Sequence, residues 1–228
     1  MLRDDREPND VFDSCFFRDP ENILRSWGSV LSYPAGVEIF QQDTPSELVY
    51  LIERGIVKLT KAESSGRQLI VGIRRRNWLI AAPSVLLEKP YSTTATTLTR
   101  CHLRGISAND FLNMVKTNAQ FSFQILRILS QEILNQVNKL VSMGCMSAKE
   151  RLECFLCEMI YEHEPVEFKK PIQLQMAIKH HELAEIIAIT PEYLCRLLKK
   201  MEQQDIIRRE KHALKVIDPE RLLRVAHI

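Results

Sequence analysis

The stretch from Asn118 to Met146 constrains the fold most, because it contains no proline and repeats its apolar residues at helical spacing. Leu126, Ile133 and Leu140 lie seven residues apart, and a second series has the same spacing. The two series form one a/d-like seam: Leu126, Leu129, Ile133, Gln136, Leu140 and Met143. The pattern predicts one continuous helix of roughly eight turns.

A helix of this length cannot bury its seam against one small domain alone. Pairing with the same helix of a second chain would bury the seam, and Gln136 would then be a polar residue that fixes the register. The seam therefore predicts a homodimer. An ordinary core helix is the alternative interpretation, because fewer than about four clean heptads are present.

Residues 1–22 are charge-rich and lack the apolar core of a signal peptide, so we expect a flexible N-terminal segment. The sequence has no apolar run long enough to span a bilayer. Its composition, 45% hydrophobic and 26% charged residues, is that of an ordinary globular protein. The 6 cysteines are scattered, which favours reduced thiols. These features predict a cytoplasmic protein with no membrane partner.

Between Ser29 and Ser107, short apolar segments rich in β-branched residues alternate with turn signals such as Pro34–Gly36 and Asp43–Pro45. Five of these segments are predicted strands: Val37–Phe40, Leu48–Ile52, Ile56–Thr60, Gln68–Ile73 and Thr93–Leu98. Short strands at this spacing predict a small β-barrel or sandwich.

The part of the chain that follows the long helix mixes helical and strand patterns, after a predicted break at Gly144. The predicted elements are a helix over Ala148–Tyr161, a strand over Ile172–Ile178, two helices, a hairpin of Ile206–Arg209 with Leu214–Ile217, and a last short helix begun by Asp218 and Pro219. This third of the chain is therefore α-rich with a small β hairpin.

Two short helices joined by a tight turn lie between Glu182 and Ile207. Ala188 and Ile189 form the turn, and Thr190 is a good N-cap before a proline at the first helical position. The second helix has a predicted buried face of Leu194, Leu197, Leu198 and Met201, and an exposed face of Glu192, Tyr193, Arg196, Lys199 and Lys200. With the hairpin, the two helices predict a winged helix-turn-helix.

The exposed face of the second helix has the chemistry of base recognition. Arg196 can donate two hydrogen bonds to guanine O6 and N7, and Glu192 can accept one from the cytosine amino group. Tyr193 and Lys199 lie on the same face and are further candidates for base contacts. Glu192 and Arg196 are four residues apart, so a surface ion pair, alone or together with base recognition, is the alternative interpretation.

A basic cluster surrounds this helix. From Arg196 to Lys215 there are seven basic and three acidic residues, although such runs also occur on ordinary solvated faces. Basic side chains on the hairpin would bind phosphates, which position a protein without reading sequence. The predicted phosphate contacts are Thr190, Lys200, Arg208, Arg209 and Lys211.

Four segments resemble the Crp/Fnr family, which includes the cyclic-AMP receptor protein and the fumarate-nitrate reductase regulator. Pro34–Phe40 and Leu48–Leu59 are similar to the opening of that family's cyclic-nucleotide-binding barrel. Glu182–Ala184 and Thr190–Arg196 are similar to its helix-turn-helix. The resemblance covers residues 29 to 228, and the order of barrel, long helix and winged helix-turn-helix makes it specific.

The resemblance implies an α+β fold in four parts. These are a flexible segment (1–22), a cyclic-nucleotide-binding-like sensor β-barrel of the jelly-roll type (23–117), a dimerisation helix (118–146) and a winged helix-turn-helix DNA-binding domain (147–228). It also implies a bacterial transcription regulator that binds a palindromic site as a dimer, with Glu192 and Arg196 at base-reading positions. Pro191 and Cys195 depart from the usual residues there, which leaves the half-site sequence open.

The chain also departs from the family at the ligand-binding positions of the barrel. Family members that bind cyclic nucleotides use Gly-Glu for the ribose and Arg followed by Ser or Thr for the cyclic phosphate. Here Ala81 and Ala82 occupy the first pair of positions, and Tyr91 and Ser92 the second. Because the carboxylate and the guanidinium are missing, we expect no cyclic-AMP binding in the usual mode, while another ligand stays open.

The sequence predicts no cofactor and no metal site. Only Cys15 and Cys101 lie in the N-terminal half, too few for an iron–sulfur cluster. Cys154 and Cys157 fall within an apolar helix, which favours structural thiols over a redox pair. The chain also lacks a P-loop, a nucleophile elbow and the common zinc and dinucleotide motifs, so it is not predicted to be an enzyme.

Two functions stay open at the level of sequence. The first is a sequence-specific regulator that binds double-stranded DNA as a homodimer, with RNA polymerase and an unassigned small-molecule effector as further candidate partners. The second is a ligand- or redox-sensing module whose helix-turn-helix makes protein contacts only. The basic hairpin and the polar helix face favour the first.

Overall fold

The computed structural model describes residues 28–64, 66–161, 170–210 and 213–223. The predicted flexible segment 1–22, with Cys15, and the predicted phosphate contact Lys211 lie outside these ranges. The described chain divides into two units between Asn135 and Gln136, a point inside the long helix.

The first unit consists mainly of strands followed by helices. Its elements in chain order are β1 (Ser29–Tyr33), β2 (Glu38–Phe40), β3 (Leu48–Arg54), β4 (Val57–Ala62), β5 (Gln68–Arg74), β6 (Leu79–Ile80), α1 (Ala82–Leu86), β7 (Thr94–Thr97), β8 (Cys101–Ser107), α2 (Ala108–Thr117) and α3 (Ala119–Cys145), which continues into the second unit.

The strands form two antiparallel sheets of four strands each. The orders are β1-β8-β3-β6 and β2-β7-β4-β5. Phe40 and Val57 from the second sheet pack with Ile52 and Leu103 from the first in one buried cluster. Two sheets around a common core form the sheet-rich barrel that the sequence predicts.

Strand β3 lies at the centre of this unit because both of its faces are apolar. Tyr50 and Ile52 point into the cluster between the sheets. Val49 and Leu51 alternate with them and pack on the other side, in a cluster with α1, α2 and α3. The sequence of this strand is therefore continuously apolar and does not alternate between apolar and polar residues.

The five predicted strands are all present, with ends within two residues of the predicted ones. The sequence does not predict β1, β6 and β8. Strand β8 contains Gly105, which weakens the strand pattern, and a Cβ at this position would lie 2.9 Å from Leu31 Cδ1 of β1. A side chain at this position would therefore displace the end of the Leu31 side chain, a contact of the β1–β8 pair that the pattern of a single segment does not reveal.

Helix α3 covers the barrel with the first part of its length. Phe121, Ile125 and Ile128 are buried in the cluster that includes Val49 and Leu51. The helix runs through Gly144 and ends at Cys145, so the predicted break at Gly144 is wrong by one to two residues. A glycine weakens a helix by only about 1 kcal/mol relative to alanine and does not end it by itself.

Arg74 joins the end of β5 to α3. Its guanidinium binds the carboxylate of Glu132, donates to the carbonyl of Ile73 at 3.3 Å, and lies 4.5 Å from the centroid of the Trp78 ring. Gly72 makes room for this arrangement, since a Cβ there would lie 2.3 Å from Arg74 Nη1. Burial lowers the pKa of Arg74, and the negative charge of Glu132 opposes that shift.

The second unit contains the end of α3 and a compact mixture of helices and short strands. Its further elements are α4 (Ala148–Tyr161), β9 (Ile172–Gln175), α5 (His180–Ile186), α6 (Pro191–Gln203), β10 (Ile207–Arg209), β11 (Ala213–Val216) and α7 (Pro219–Leu223). The strands form one antiparallel sheet in the order β10-β11-β9. The two helices α5 and α6 with this sheet form the predicted winged helix-turn-helix, so the α+β fold class is confirmed.

Helix α4 begins with a capping box. The backbone N–H of Ser147 donates to the Glu150 carboxylate at 2.6 Å, and the N–H of Glu150 donates to Ser147 Oγ at 3.3 Å. This box explains why α3 and α4 are separate: the new helix starts at its own cap, and only Met146 and Ser147 lie between the two helices.

The two cysteines of α4 are free thiols, Cys157 buried and Cys154 partly buried. Burial raises the pKa of Cys154 to about 11 and that of Cys157 to about 12, and the neighbouring glutamates raise both further. Both thiols therefore stay protonated near neutral pH. Among the described residues, no group of His, Cys, Asp and Glu is arranged to hold a metal ion, and no helix is long and apolar enough to cross a membrane.

The β3–β4 turn requires a glycine for two reasons. Gly55 has a φ of +103°, and a Cβ there would lie 2.5 Å from Cys101 Sγ and 2.6 Å from the carbonyl oxygen of Arg100. Gly36 has a φ of +80° but open space around it, with nothing within 4 Å of a built Cβ. A side chain at Gly36 would therefore cause backbone strain only, whereas a side chain at Gly55 would cause both strain and steric overlap.

We predict that Gly55→Ala lowers the free energy of unfolding by about 3 kcal/mol, because strain and overlap add. Gly36→Ala, the matched control, should cost only the strain of about 1 kcal/mol. Urea unfolding of the two variants checks this. Equal losses would show that the packing of Cys101 against the turn does not matter for stability.

Candidate nucleic-acid interface

The start of α6 is fixed by its cap, as the sequence predicts. Thr190 has a β-region backbone, and its Oγ1 accepts from the N–H of Tyr193 at 3.3 Å, while Pro191 is the first helical residue. The turn before it has a positive φ of 55° at Ala188, and the Ile189 N–H donates to the carbonyl of Ala184 at 2.9 Å. These contacts set the position at which each side chain of α6 emerges.

Helix α6 has one fully buried face and one exposed face. Leu194, Leu197, Leu198 and Met201 are buried as predicted, against α5 and β10. The opposite face is exposed and carries the predicted base-reading and phosphate residues: Glu192, Tyr193, Arg196, Lys199 and Lys200. The burial of the apolar face therefore determines which polar side chains point outward.

Arg196 lies on Tyr193 and not on Glu192. Its guanidinium carbon is 5.3 Å from the centroid of the Tyr193 ring, one helical turn earlier. A hydrogen bond from its own backbone N–H, and then one from the hydroxyl of Thr190, hold the pKa of Glu192 below its usual range. Arg196 adds a smaller contribution to the same shift. The aromatic ring thus supports the arginine, and the carboxylate serves the N-terminus of the helix.

The predicted phosphate contact Arg209 is instead paired with Glu202. The Glu202 carboxylate accepts from the Arg209 backbone N–H at 2.9 Å, from Nε at 2.8 Å and from Nη2 at 2.6 Å. The pKa of Glu202 is lowered and that of Arg209 raised, chiefly by this contact. Nε and Nη2 share the oxygen Oε2 while Oε1 accepts the backbone N–H, and this charged contact attaches β10 to the last turn of α6. The sequence did not reveal it because the partners are seven residues apart and lie on different elements.

The hairpin presents two cations directly opposite each other. Arg208 on β10 is exposed and faces Lys215 on β11 across the ladder. Like charges in such a pair repel each other, so a bound anion would stabilise the hairpin. Lys215 was counted in the basic cluster but not assigned a role, because only the register of the hairpin places it beside Arg208. Thr190 and Lys200 are both exposed, as a phosphate contact requires.

The predicted seam of α3 is largely exposed in the single chain. Leu126, Ile133, Leu140 and Met143 are each about half exposed or more, and Gln136 is exposed as well. Leu129 is different: it is half-buried against the cluster under the barrel. The apolar stripe instead includes four residues that the sequence analysis did not select: Phe123, Leu134, Val137 and Val141.

The shift of the stripe has a simple geometric cause. The heptad pattern of Leu126, Ile133 and Leu140 can be completed either through Leu129 or through Val137, since both lie three or four residues from the series. Leu129 is half-buried against the barrel, whereas Val137 is exposed. The interpretation of α3 as an ordinary core helix is not supported, because so much of its apolar surface is uncovered.

Of the four residues that the sequence analysis places at ligand-binding positions of the barrel, Ala82 and Tyr91 are buried, Ala81 is partly buried and Ser92 is exposed. The ring of Tyr91 is stacked on Phe40 with 4.1 Å between centroids. Its hydroxyl donates to the carbonyl of Leu48 and accepts from the N–H of the same residue, both at 3.0 Å. Ala82 is buried, and the Ser92 N–H donates to Ser84 Oγ at 3.2 Å. This arrangement provides aromatic packing where a phosphate would need a cation.

The paired contact of Glu202 with Arg209 gives a pH-dependent prediction. Because the pKa of Glu202 is lowered in the folded protein, the pair stabilises the fold above the ordinary carboxyl pKa and loses this contribution as the pH falls below about 4. We expect Glu202→Gln to lower the free energy of unfolding by about 0.5–1 kcal/mol at pH 7, since the pair is partly exposed. Urea unfolding at pH 7 and at lower pH measures this.

The control for this experiment is Glu220→Gln, an exposed glutamate in the first turn of α7. It removes the same charge without touching the hairpin. The difference between wild type and Glu202→Gln should shrink at acidic pH, where Glu202 itself takes up a proton. A difference that is the same at both pH values would contradict the role of the ion pair.

Comparisons with known proteins agree with this architecture. The sequence matches two domain models, "Cyclic nucleotide-binding domain" over residues 30–118 and "Crp-like helix-turn-helix domain" over residues 150–225. Similar proteins include the CRP-like cAMP-activated global transcriptional regulator of Mycobacterium tuberculosis, 21% identical over 86% of this chain and 87% of that protein. The global nitrogen regulator of a Nostoc species is 25% identical over 89% of this chain and 94% of that protein.

A solved structure with the same fold is that of FixK2 from Bradyrhizobium japonicum. It superposes with a TM-score of 0.74 at 20% identity, covering 86% of this chain and 96% of that chain. At this identity the likeness concerns the fold. The domain models and the relatives together account for the barrel and for the helix-turn-helix in the same order along the chain.

Proposed function

Since the chain belongs to the Crp/Fnr family of transcription regulators, we propose that it binds a palindromic operator as a homodimer and reads the DNA sequence with the exposed face of α6. The observation that carries the proposal is the geometry of α6. Its apolar face is buried and its cap is fixed, so that Arg196 and its neighbours are presented outward on a rigid helix.

Arg196 is the principal base-reading residue in this proposal. Its stacking on Tyr193 restricts the long side chain before DNA arrives, which reduces the conformational entropy lost on binding. The guanidinium fork can then bond bidentately to a guanine. Glu192 and Lys199 are further base-reading candidates on the same face. Tyr193 then acts both as a support for Arg196 and as a candidate for contact with a thymine methyl group.

Phosphate binding is assigned to the hairpin and to the ends of α6. Arg208 and Lys215, which face each other, are the strongest candidates, because a phosphate between them would relieve their repulsion. Thr190 and Lys200 are exposed and join them, as does Lys211 from the sequence pattern. Arg209 stays in this group as a weaker candidate, since its guanidinium already binds Glu202.

The proposed dimer is formed by the exposed stripe of α3. Pairing two such stripes would bury Leu126, Ile133, Val137 and Leu140 of each chain, which in a single chain are in contact with water. A two-fold axis along paired helices matches the two-fold symmetry of a palindromic operator. Gln136 lies at the border of the stripe, where a polar residue can fix the register.

The effector of the barrel differs from cyclic AMP in this proposal. The relative from Mycobacterium tuberculosis is named as cAMP-activated, but in this chain Ala82 and Tyr91 replace the carboxylate and the guanidinium. The hydroxyl of Tyr91 is already bonded to the backbone of Leu48. We therefore propose that the barrel binds another ligand or none, and that the protein acts by binding and not by catalysis.

The decisive DNA experiment compares two arginines. Arg196→Ala should weaken binding to an operator selected from random duplexes by about 1–3 kcal/mol per half-site, with a smaller effect on scrambled DNA. Arg208→Ala should weaken both to a similar extent and reduce the slope of log K against log salt by about one. Binding titrations at two salt concentrations measure both quantities.

The outcomes separate the two candidate functions. Equal losses of Arg196→Ala on operator and scrambled DNA would make Arg196 a phosphate contact and transfer the reading role to Glu192, Tyr193 or Lys199. If the unmodified protein showed no salt-dependent affinity for any duplex, the alternative would stand, namely a sensing module whose helix-turn-helix contacts proteins only.

The dimer is tested by placing a charge in the stripe. Ile133→Asp should convert a dimer into a monomer at micromolar concentration, because a carboxylate would lose its water in the interface. Leu87→Asp is the matched control, since Leu87 is 66% exposed and Ile133 63% exposed, but Leu87 lies on the barrel surface. Multi-angle light scattering measures the mass. A dimer that persists in Ile133→Asp, or an unmodified protein that is a monomer, would refute the pairing of α3.

A further inference from the structure

Arg151 on α4 makes an unusual set of contacts. Its guanidinium donates from Nη1 to the carbonyl oxygen of Met146 at 2.7 Å and from Nε to that of Ile187 at 2.8 Å. Nη2 lies 3.4 Å from the carbonyl oxygen of Ala188. Three separate backbone acceptors are thus bound by one half-buried side chain.

The three acceptors belong to two junctions of the chain. Met146 lies in the two-residue connection between α3 and α4. Ile187 is the C-cap of α5, and Ala188 is the positive-φ residue of the turn that leads to α6. The last carbonyls of a helix have no partner within it, and a cation there is favourable. Arg151 therefore donates to carbonyls at the end of α5 and at the end of α3 at once.

Both junctions control where α6 is held. The turn at Ala188 ends two residues before the N-cap of α6, and the connection at Met146 follows directly on the end of α3. The capping box of Ser147 and Glu150 fixes the first turn of α4, from which Arg151 extends. Hydrogen bonds at the two junctions thus connect α4 with the end of α3 and with the α5–α6 turn within the second unit.

We propose that Arg151 is a positioning residue for DNA recognition, which sets the separation of the two recognition helices by fixing the α5–α6 turn to the α3–α4 junction. The inference rests on the proposed function, since the separation matters only for a dimer on two half-sites. A dimer whose recognition helices are held rigidly prefers one half-site spacing, and a loosened dimer accepts several.

The chemistry of the side chain matters as well as its charge. A guanidinium has five N–H donors in a fixed planar fork, so that it can bond to acceptors on two sides at once. The ammonium of a lysine is a compact charge on a flexible stem and cannot hold Met146 and Ile187 in one geometry. Arg151→Lys is therefore the informative variant, since it keeps the charge near the end of α5.

The experiment measures affinity as a function of half-site spacing. Duplexes carry two copies of the selected half-site at the preferred spacing and at spacings changed by one and by two base pairs, and a further duplex carries one half-site only. We expect Arg151→Lys and Arg151→Ala to weaken binding at the preferred spacing by about tenfold, the equivalent of one charge-assisted hydrogen bond. Binding to the single half-site should be unchanged, and the preference for one spacing should be reduced.

A second variant separates positioning from plain loss of stability. Leu222→Ala, in the buried face of α7, should lower the stability of the same unit while removing none of the hydrogen bonds of Arg151, and should keep the spacing preference. If Arg151→Lys binds the half-site and the full operator equally weakly, or keeps the spacing preference of the unmodified protein, Arg151 has only a structural role and the inference is overturned. If the unmodified protein itself prefers no sequence, the proposed function fails instead.

Discussion

The burial of Phe121, Ile125 and Ile128 against the barrel is the interaction on which the rest of the structure depends. A helix rotates as a rigid body, so that fixing one face fixes every other. With these three side chains buried, Ile133 lies on an exposed face of the same helix. The face that we assign to dimerisation thus depends on how α3 packs on the barrel, although the two faces share no residue.

The contact between Arg74 and Glu132 restricts the rotation of α3 about its axis more than it increases the stability of the fold. Removing two charges from water costs several kcal/mol, and their attraction returns this only with good geometry. Apolar packing tolerates small rotations of a helix, whereas a guanidinium bound to a carboxylate and stacked on Trp78 does not. Gly72 supports this interpretation, because its missing side chain leaves the space that the guanidinium occupies. The pair therefore sets the rotation of α3 at the residue just before Ile133.

The sequence predicted the local features of this protein well and its long-range contacts poorly. The five strands, helix α4 and the cap at Thr190 depend on residues close together in the chain, and each is found where the pattern placed it. Strand β8 was missed because Gly105 serves a neighbour more than seventy residues away in the chain. The exposure of Val137 beside the predicted seam and the ion pair of Arg209 with Glu202 were not foreseen for the same reason. Periodicity shows that a side chain is apolar or charged, while the partner it meets depends on the tertiary fold.

The stacking of Arg74 on Trp78 has an optical consequence. The sequence contains 2 tryptophans, and Trp78 carries a guanidinium 4.5 Å from its ring centroid. Indole fluorescence responds to a nearby positive charge and to water, and both would change if Glu132 drew Arg74 away from the ring. With Trp27 replaced by phenylalanine, Trp78 would be the sole emitter. The attachment of the long helix to the barrel could then be followed in real time, during titration with a candidate effector, without any added label.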